Sequence, residues 1–214
     1  MKKNDTLLQA FEWYLPDDSQ HWNKLKVQAP SFSNLGVTLM WLPPAYKGAG
    51  GVHDVGYGVY DLYDLGEFDQ KGTIPTKYGT KQEYLDAIDA LQKENISVLA
   101  DIVLNQKMGG DTEETIDVIK IDPNNRNEEI GGDYQITAWT KFIFPNRHGK
   151  YSTFIWNASH FDGIDWDEKK KQSAIYLIEG KNWDSNVDSE NGNYDYLMGC
   201  DIDFKNQEVL QEFN

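Results

Sequence analysis

Residues 41–79 read WLPPAYKGAGGVHDVGYGVYDLYDLGEFDQKGTIPTKYG. An apolar strand closes at Leu42 and a helix opens just past Gly79. The stretch between holds eight glycines, five tyrosines and five acidic residues. Most connections in compact domains are short, and long ones are usually functional or disordered. Disordered segments are poor in aromatic residues. This loop therefore reads as an ordered, functional one.

The flanks set the fold class. Upstream, residues 37–42 and residues 7–13 are two apolar runs of strand length. Between them Trp22, Leu25, Ala29, Phe32 and Leu35 recur at helical spacing. Ser19 is placed to cap that helix and Gly36 to end it. Pro30 lies inside it, and an interior proline costs about 3 kcal/mol, which predicts a kink or two short helices. Downstream, Thr80 and Glu83 form a capping box that opens a helix with Tyr84, Ile88 and Leu91 on one face. Residues 96–104 form a nearly continuous apolar strand, as in parallel sheets buried on both faces. Strand, helix, strand, helix, strand predicts right-handed βαβ units on a parallel sheet.

From residue 107 to about 204 the rhythm changes. Short aromatic and β-branched segments (116–121, 136–144 and 175–179) alternate with Gly, Asn and Asp turns. This predicts a β-rich excursion. A new helix is expected from Asn206.

Composition narrows the function. The 214 residues suffice for one large or two ordinary domains. With 39% hydrophobic and 26% charged residues the chain reads as soluble and globular. No apolar run reaches ~18 residues, so no transmembrane helix is expected. The start, MKKNDTLLQAFEW, lacks the apolar core of a secretory signal. A cytoplasmic location is expected, or secretion if a leader has been processed away. Cys200 is the sole cysteine, which excludes an internal disulfide; it reads as a small buried apolar residue. A net charge of −15 opposes nucleic acid and anionic membranes and suits cations or a neutral substrate.

The loop 41–79 closely resembles the one after the second barrel strand of bacterial α-amylases of glycoside hydrolase family 13, and the resemblance covers essentially the whole chain. It implies an α/β fold: a partial (β/α)8 TIM barrel, its first three strands in residues 1–106. An inserted β-rich, calcium-binding domain would occupy residues 107–204, and residues 205–214 would start the third barrel helix. A full barrel has eight strands and about 250 residues. In the family the catalytic carboxylates follow the fourth, fifth and seventh strands, which lie beyond the expected extent of this chain. No residue is therefore assigned a catalytic role, and the 214 residues alone are expected to be inactive. The implied activity is α-amylase-type hydrolysis of α-1,4-glucosidic bonds in starch- or glycogen-like glucans. The alternatives are a non-catalytic calcium-dependent glucan-binding module, and one half of a split enzyme whose partner chain carries the missing barrel half. An α-glucan is the expected partner; nucleic acid and membrane are not.

The resemblance also nominates residues. DIVLNQ, residues 101–106, matches the family's first signature block, with Gln106 standing where the family has a sugar-contacting His. A glutamine can donate through its amide but cannot become cationic. Tyr57, in DVGYG, is implied as the ring that stacks on a sugar; Trp13 and Gln9 are weaker substrate candidates. His160 and His53 read as structural. Asp162 (in HFDG), Asp184 (NWDS), Asp195 (GNYDY), Asp201 and Asp203 (CDIDF) read from spacing alone as acidic turn residues. With Asn105, the resemblance matches them one by one to the oxygen ligands of a cluster of two Ca²⁺ with Na⁺ between them. Hard cations favour such oxygen donors. Without metal, close carboxylates would repel and one or more would hold a proton.

Overall fold

The computed structural model describes residues 4–187 and 195–214. The chain divides into two compact units, Met1–Val103 and Leu104–Asn214.

The first unit is α/β. Strands β1 (Leu7–Gln9), β2 (Leu39–Leu42) and β5 (Ser97–Ala100) form a parallel sheet in that order. Helices α1 (His21–Asn34) and α2 (Lys81–Lys93) lie between them in the chain. Residues 22, 25 and 29 of α1 and 84, 87 and 91 of α2 repeat at the spacing that keeps side chains on one helix face. Those six pack with Met40, Leu42, Tyr78 and Ile96 into one core, and Ile88 packs against it. Trp22 is its centre, fully buried, with its ring 4.9 Å from that of Tyr84 and 5.4 Å from that of Tyr78.

Three local expectations differ from what is observed. The outer strands are shorter than their apolar runs. The chain turns after β1 because Glu12 accepts the Tyr14 N–H at 2.6 Å. Beyond β5, which is an edge of the three described strands, Ile102 and Leu104 are exposed. Ser19 does not cap α1: it adopts a left-handed backbone and its hydroxyl donates to the Thr76 carbonyl at 2.8 Å, leaving Gln20 as N-cap. One continuous helix runs through Pro30, the tenth of its fourteen residues, with Trp22, Leu25 and Ala29 on the buried face holding it in place despite the hydrogen bond that the proline removes.

The capping box on α2 is present. Thr80 Oγ1 accepts the Glu83 N–H, and the Glu83 carboxylate accepts the Thr80 N–H at 2.8 Å. Thr80→Ala should therefore cost about 1 kcal/mol of stability, with Thr80→Ser close to wild type, as read from urea midpoints. Equal midpoints for Ala and wild type would remove the cap from the account.

Between β2 and α2 the long loop builds a hairpin from β3 (Lys47–Gly48) and β4 (Val59–Asp61). The Asp54 carboxylate sits inside it, accepting N–H bonds from Gly50 (3.1 Å), Gly56 (2.8 Å) and Gly58 (3.2 Å). A Cβ at Gly48 or Gly58 would come within 2.2 or 2.4 Å of that side chain, which is why glycine is required at both.

The second unit is a six-stranded sheet in which every pairing is antiparallel. Its order is β6 (Gln106–Lys107), β11 (Cys200–Ile202), β9 (Phe161–Asp167), β10 (Gln172–Ile178), β7 (Thr112–Ile121) and β8 (Tyr134–Lys141). The β-rich excursion is thus observed, with β9 as an addition. FDGIDWD was hard to read as a strand because carboxylates are depleted in strands. Helix α3 (Gln207–Glu212) follows, capped by Asn206, whose Oδ1 accepts from Glu208 N–H at 2.9 Å. No helix among the described residues is long and apolar enough to cross a membrane.

Candidate functional site

Neighbouring strands β9 and β11 place two carboxylates side by side. Asp162 lies near the start of β9 and Asp201 in β11, where the ladder register shifts between Asp201 and Ile202. Asp195, just upstream of β11, joins them: one carboxylate oxygen from each of the three lies within 4.8 Å of the others. Asp162 and Asp201 are buried and Asp195 is half-buried. Asn105, immediately before β6, donates its amide to Asp201 at 3.2 Å, and its carbonyl accepts the Ile202 N–H at 2.9 Å.

The other two nominated carboxylates border this group and meet lysines. The Asp184 N–H donates to Asp195 at 2.5 Å, while its carboxylate faces Lys205 at 3.3 Å. Asp203 pairs with Lys181 at 2.5 Å and accepts the Lys205 N–H at 2.8 Å. The segment carrying Asp184 comes close to β9 because Gly163 has no side chain: a Cβ there would sit 2.4 Å from the Trp183 ring.

Burial and crowding show in the protonation equilibria. Burial, then the charges of Asp195 and Asp162, push Asp201 up to about 9. Burial, then the Asp203 charge, pushes Asp162 up to about 7. Burial also raises Asp195. Burial acts on Asp203 as well, but the Lys181 hydrogen bond and backbone N–H groups outweigh it and hold that carboxyl below its ordinary value.

Three carboxylates that repel one another can be satisfied by a shared cation. Calcium binds oxygen at 2.3–2.6 Å, so two ligands of one ion lie at most about 5.2 Å apart. The 4.8 Å limit observed for Asp162, Asp195 and Asp201 fits, and Asn105 borders the group through its amide hydrogen bond to Asp201. The cluster could hold a metal ion.

In the first unit, Tyr57 and Trp13 lie parallel, with ring centroids 6.3 Å apart and planes 4° from each other. Trp13 is 62% exposed. The Tyr57 hydroxyl donates to Asp101 at 2.9 Å, and the Trp41 indole N–H reaches the same oxygen at 3.2 Å. Burial and the Asp101 hydrogen bond push the Tyr57 hydroxyl up to about 12, so it remains a neutral donor. Gln9 is exposed and its amide donates to the Phe11 carbonyl at 3.0 Å. Gln106 is buried in β6 of the second unit, opposite Asp201 in the ladder, and does not lie at the end of the third parallel strand, which stops at Ala100. His160 accepts the Asn157 N–H and meets Glu208 at 2.9 Å; His53 meets Asp17 at 2.7 Å. Both tie loops to neighbouring elements.

Sequence reading missed Lys181, Lys205 and the turn-forming role of Asp54. Lys205 stood two residues past Asp203, but its reach to Asp184 depends on the chain folding back. Asp54 offered the stronger signal, with glycines two and four residues after it.

The class is an α/β unit joined in sequence to a β-rich one, and comparison with known proteins says where it occurs. No family model matches the chain. It is 56% identical over 211 residues to an α-amylase of Geobacillus stearothermophilus, covering 98% of this chain and 38% of that protein. It is 52% identical over 209 residues to an α-amylase of Bacillus licheniformis, covering 98% and 41%. It is 48% identical over 214 residues to a cytoplasmic α-amylase of Escherichia coli (strain K12), covering 98% and 43%. The chain spans about two fifths of the length of these curated relatives. Among solved structures, a truncated alternansucrase from Leuconostoc mesenteroides superposes with a TM-score of 0.57 and 25% identity over 64% of this chain and 13% of that one. Its homologues are thus bacterial α-amylases of glycoside hydrolase family 13, and the chain matches their N-terminal part.

Proposed function

We propose that this chain serves α-amylase-type hydrolysis of α-1,4-glucosidic bonds in starch- or glycogen-like glucans. In this reading β1, β2 and β5 are the first three strands of a (β/α)8 barrel, and the second unit is the calcium-binding domain inserted after them. The observation that carries it is the convergence of Asp162, Asp195 and Asp201 in a chain whose relatives of 48–56% identity are named α-amylases.

Calcium would be held by Asn105, Asp162, Asp195 and Asp201. Asp184 and Asp203 would complete the donor set for a second calcium with sodium between the two. When bound, the ions neutralise the clustered carboxylates and tie β9, β11 and the segment before β6 together. The described residues carry no assigned nucleophile or acid/base. Their part is to bind and orient. Tyr57 offers a flat ring whose tilt is set by its hydrogen bond to Asp101. Trp13 is the adjoining exposed ring, and Gln9 supplies an amide donor to sugar hydroxyls.

Calorimetric titration of the chain with maltoheptaose tests this. Tyr57→Ala should weaken binding about tenfold, roughly 1.4 kcal/mol, from the loss of one stacking ring. Tyr57→Phe should bind nearly as tightly. Unchanged affinity for the alanine variant would refute the stacking role.

A further inference from the structure

Lys47 in β3 is fully buried, yet its ammonium is surrounded as water would surround it. Its Nζ lies 2.6 Å from the Thr73 carbonyl oxygen, 2.7 Å from that of Ile74, 3.1 Å from that of Phe68 and 3.5 Å from that of Gln70. The Asp64 carboxylate, also fully buried, stands 3.4 Å away. One Asp64 oxygen accepts the N–H groups of Gly66 (3.0 Å), Glu67 (2.8 Å) and Phe68 (3.2 Å). Its other oxygen accepts the Gln70 amide at 3.0 Å, which reaches Asp61 at 2.9 Å as well. The Lys47 N–H closes the ring on the Asp64 carbonyl at 2.7 Å.

Residues 64–74 are therefore wrapped around one positive charge. An unpaired ammonium is expensive to bury, and so are carbonyls that face one another without a donor. Here the four carbonyls and the Asp64 carboxylate meet the ammonium, and the Phe68, Gln70 and Thr73 carbonyls also accept backbone N–H bonds that hold the turn around it. Four carbonyls and a carboxylate are also a donor set for a hard cation. The separations run from 2.6 to 3.5 Å, longer as a set than the 2.3–2.6 Å of calcium or the 2.0–2.1 Å of magnesium and centred on N–H···O distances. The cradle has the dimensions of an ammonium-sized monovalent ion.

The cradle adjoins the hairpin that carries Tyr57. Lys47 pairs with Asp61 and Gly48 with Val59, and the Ala49 N–H donates to the Gly58 carbonyl at 2.7 Å. Tyr57 directly precedes Gly58. We propose that the Lys47 ammonium is the built-in occupant of a monovalent-cation cradle, which folds residues 62–79 and positions the hairpin bearing Tyr57. The link to sugar stacking rests on the reading of Tyr57 above; the cradle does not.

Hydrogen exchange on the 214-residue chain tests it. In Lys47→Ala, amides of residues 66–79 should exchange about a hundredfold faster, while the α1 and α2 amides keep their protection. Ammonium chloride at about 0.2 M should recover at least tenfold of that loss, and tetramethylammonium chloride at the same ionic strength should recover none, being too large for the site. Lys47→Met, which fills the volume without the charge, should show the acceleration and no rescue. Wild-type protection in either variant, or equal effects of the two salts on Lys47→Ala, overturns the proposal. Should Lys47→Ala not fold, the Lys47→Met exchange pattern decides alone. If the cradle results hold while Tyr57→Ala binds maltoheptaose as tightly as wild type, the cradle stands and the sugar reading falls.

Discussion

Millimolar calcium should raise the melting temperature of this chain by about 10 °C, and Asp201→Asn should remove most of that rise. The size follows from linkage: a ligand that binds only the folded state at about a thousand times its Kd adds about 4 kcal/mol. For a chain of this length 1 kcal/mol shifts the midpoint by roughly 2–4 °C. Asp201 is the sensitive position because it is buried, faces both Asp162 and Asp195, and accepts the Asn105 amide. The same substitution carries a second signature. Without calcium the buried Asp201 carboxyl, raised to about 9, must take up a proton for the chain to fold at neutral pH, and asparagine needs none, so the metal-free variant should melt at or above the wild type. Asp122 is the control. It sits in a turn where its carboxylate accepts the Asn124 N–H at 2.7 Å, so Asp122→Asn should keep the full calcium increment. Calorimetry that finds no calcium binding, together with an Asp201→Asn chain that responds to calcium like the wild type, would end the metal assignment.

Acid should destabilise the first unit through His21. Its ring is 9% exposed and packs against Trp22 and Tyr78 at 5.5 and 5.6 Å. Its Nε2 has no hydrogen-bond partner among the described residues. Burial holds its pKa down to about 4, against an ordinary 6.5. The folded value lies below the unfolded one, so protons bind the unfolded chain preferentially. The stability is fully present above about pH 6.5 and is lost as pH falls from there towards about 4. At 1.36 kcal/mol per pH unit the loss is about 2–3 kcal/mol by pH 4.5. Phenylalanine keeps the aromatic volume and cannot titrate. Urea unfolding of wild type and His21→Phe at about pH 7.5 and about pH 4.5 should show that difference in their acid response, with calcium chelated throughout. Parallel responses in the two proteins would clear His21 of the role.

How far the linear chain could be read depended on the range of the forces at each point. The capping box at Thr80, the helical faces of residues 22–29 and 84–91, and the alternation of strands and helices are local patterns, and the fold repeats them closely. The same holds for the helix start at Asn206, where a side chain caps an N–H two residues away. Ser19 shows where local reading fails. It had the chemistry of an N-cap, but the Thr76 carbonyl, 57 positions away, claimed its hydroxyl. Strand ends failed likewise, because an apolar run shows what can be buried and not where a neighbouring strand stops pairing.

The candidate sites divide along the same line. The glycine- and tyrosine-rich loop announced itself by composition, and the acidic residues could be nominated from their motifs. Which carboxylates share a cation is another matter. Asp162 and Asp201 meet only because β9 and β11 pair, and Asp195 comes with them. Asp184 and Asp203 look the same in sequence, yet their carboxylates face Lys205 and Lys181. The Lys47 cradle drew no notice in the sequence, where a lysine reads as a solvated surface charge. Local patterns in the chain dictate helices, caps and turns because hydrogen bonds and side-chain spacing act over a few residues. Charges brought together from distant positions are placed by strand pairing and by the cost of leaving a buried carboxylate or ammonium without a partner, and that cost exists only once the chain has folded.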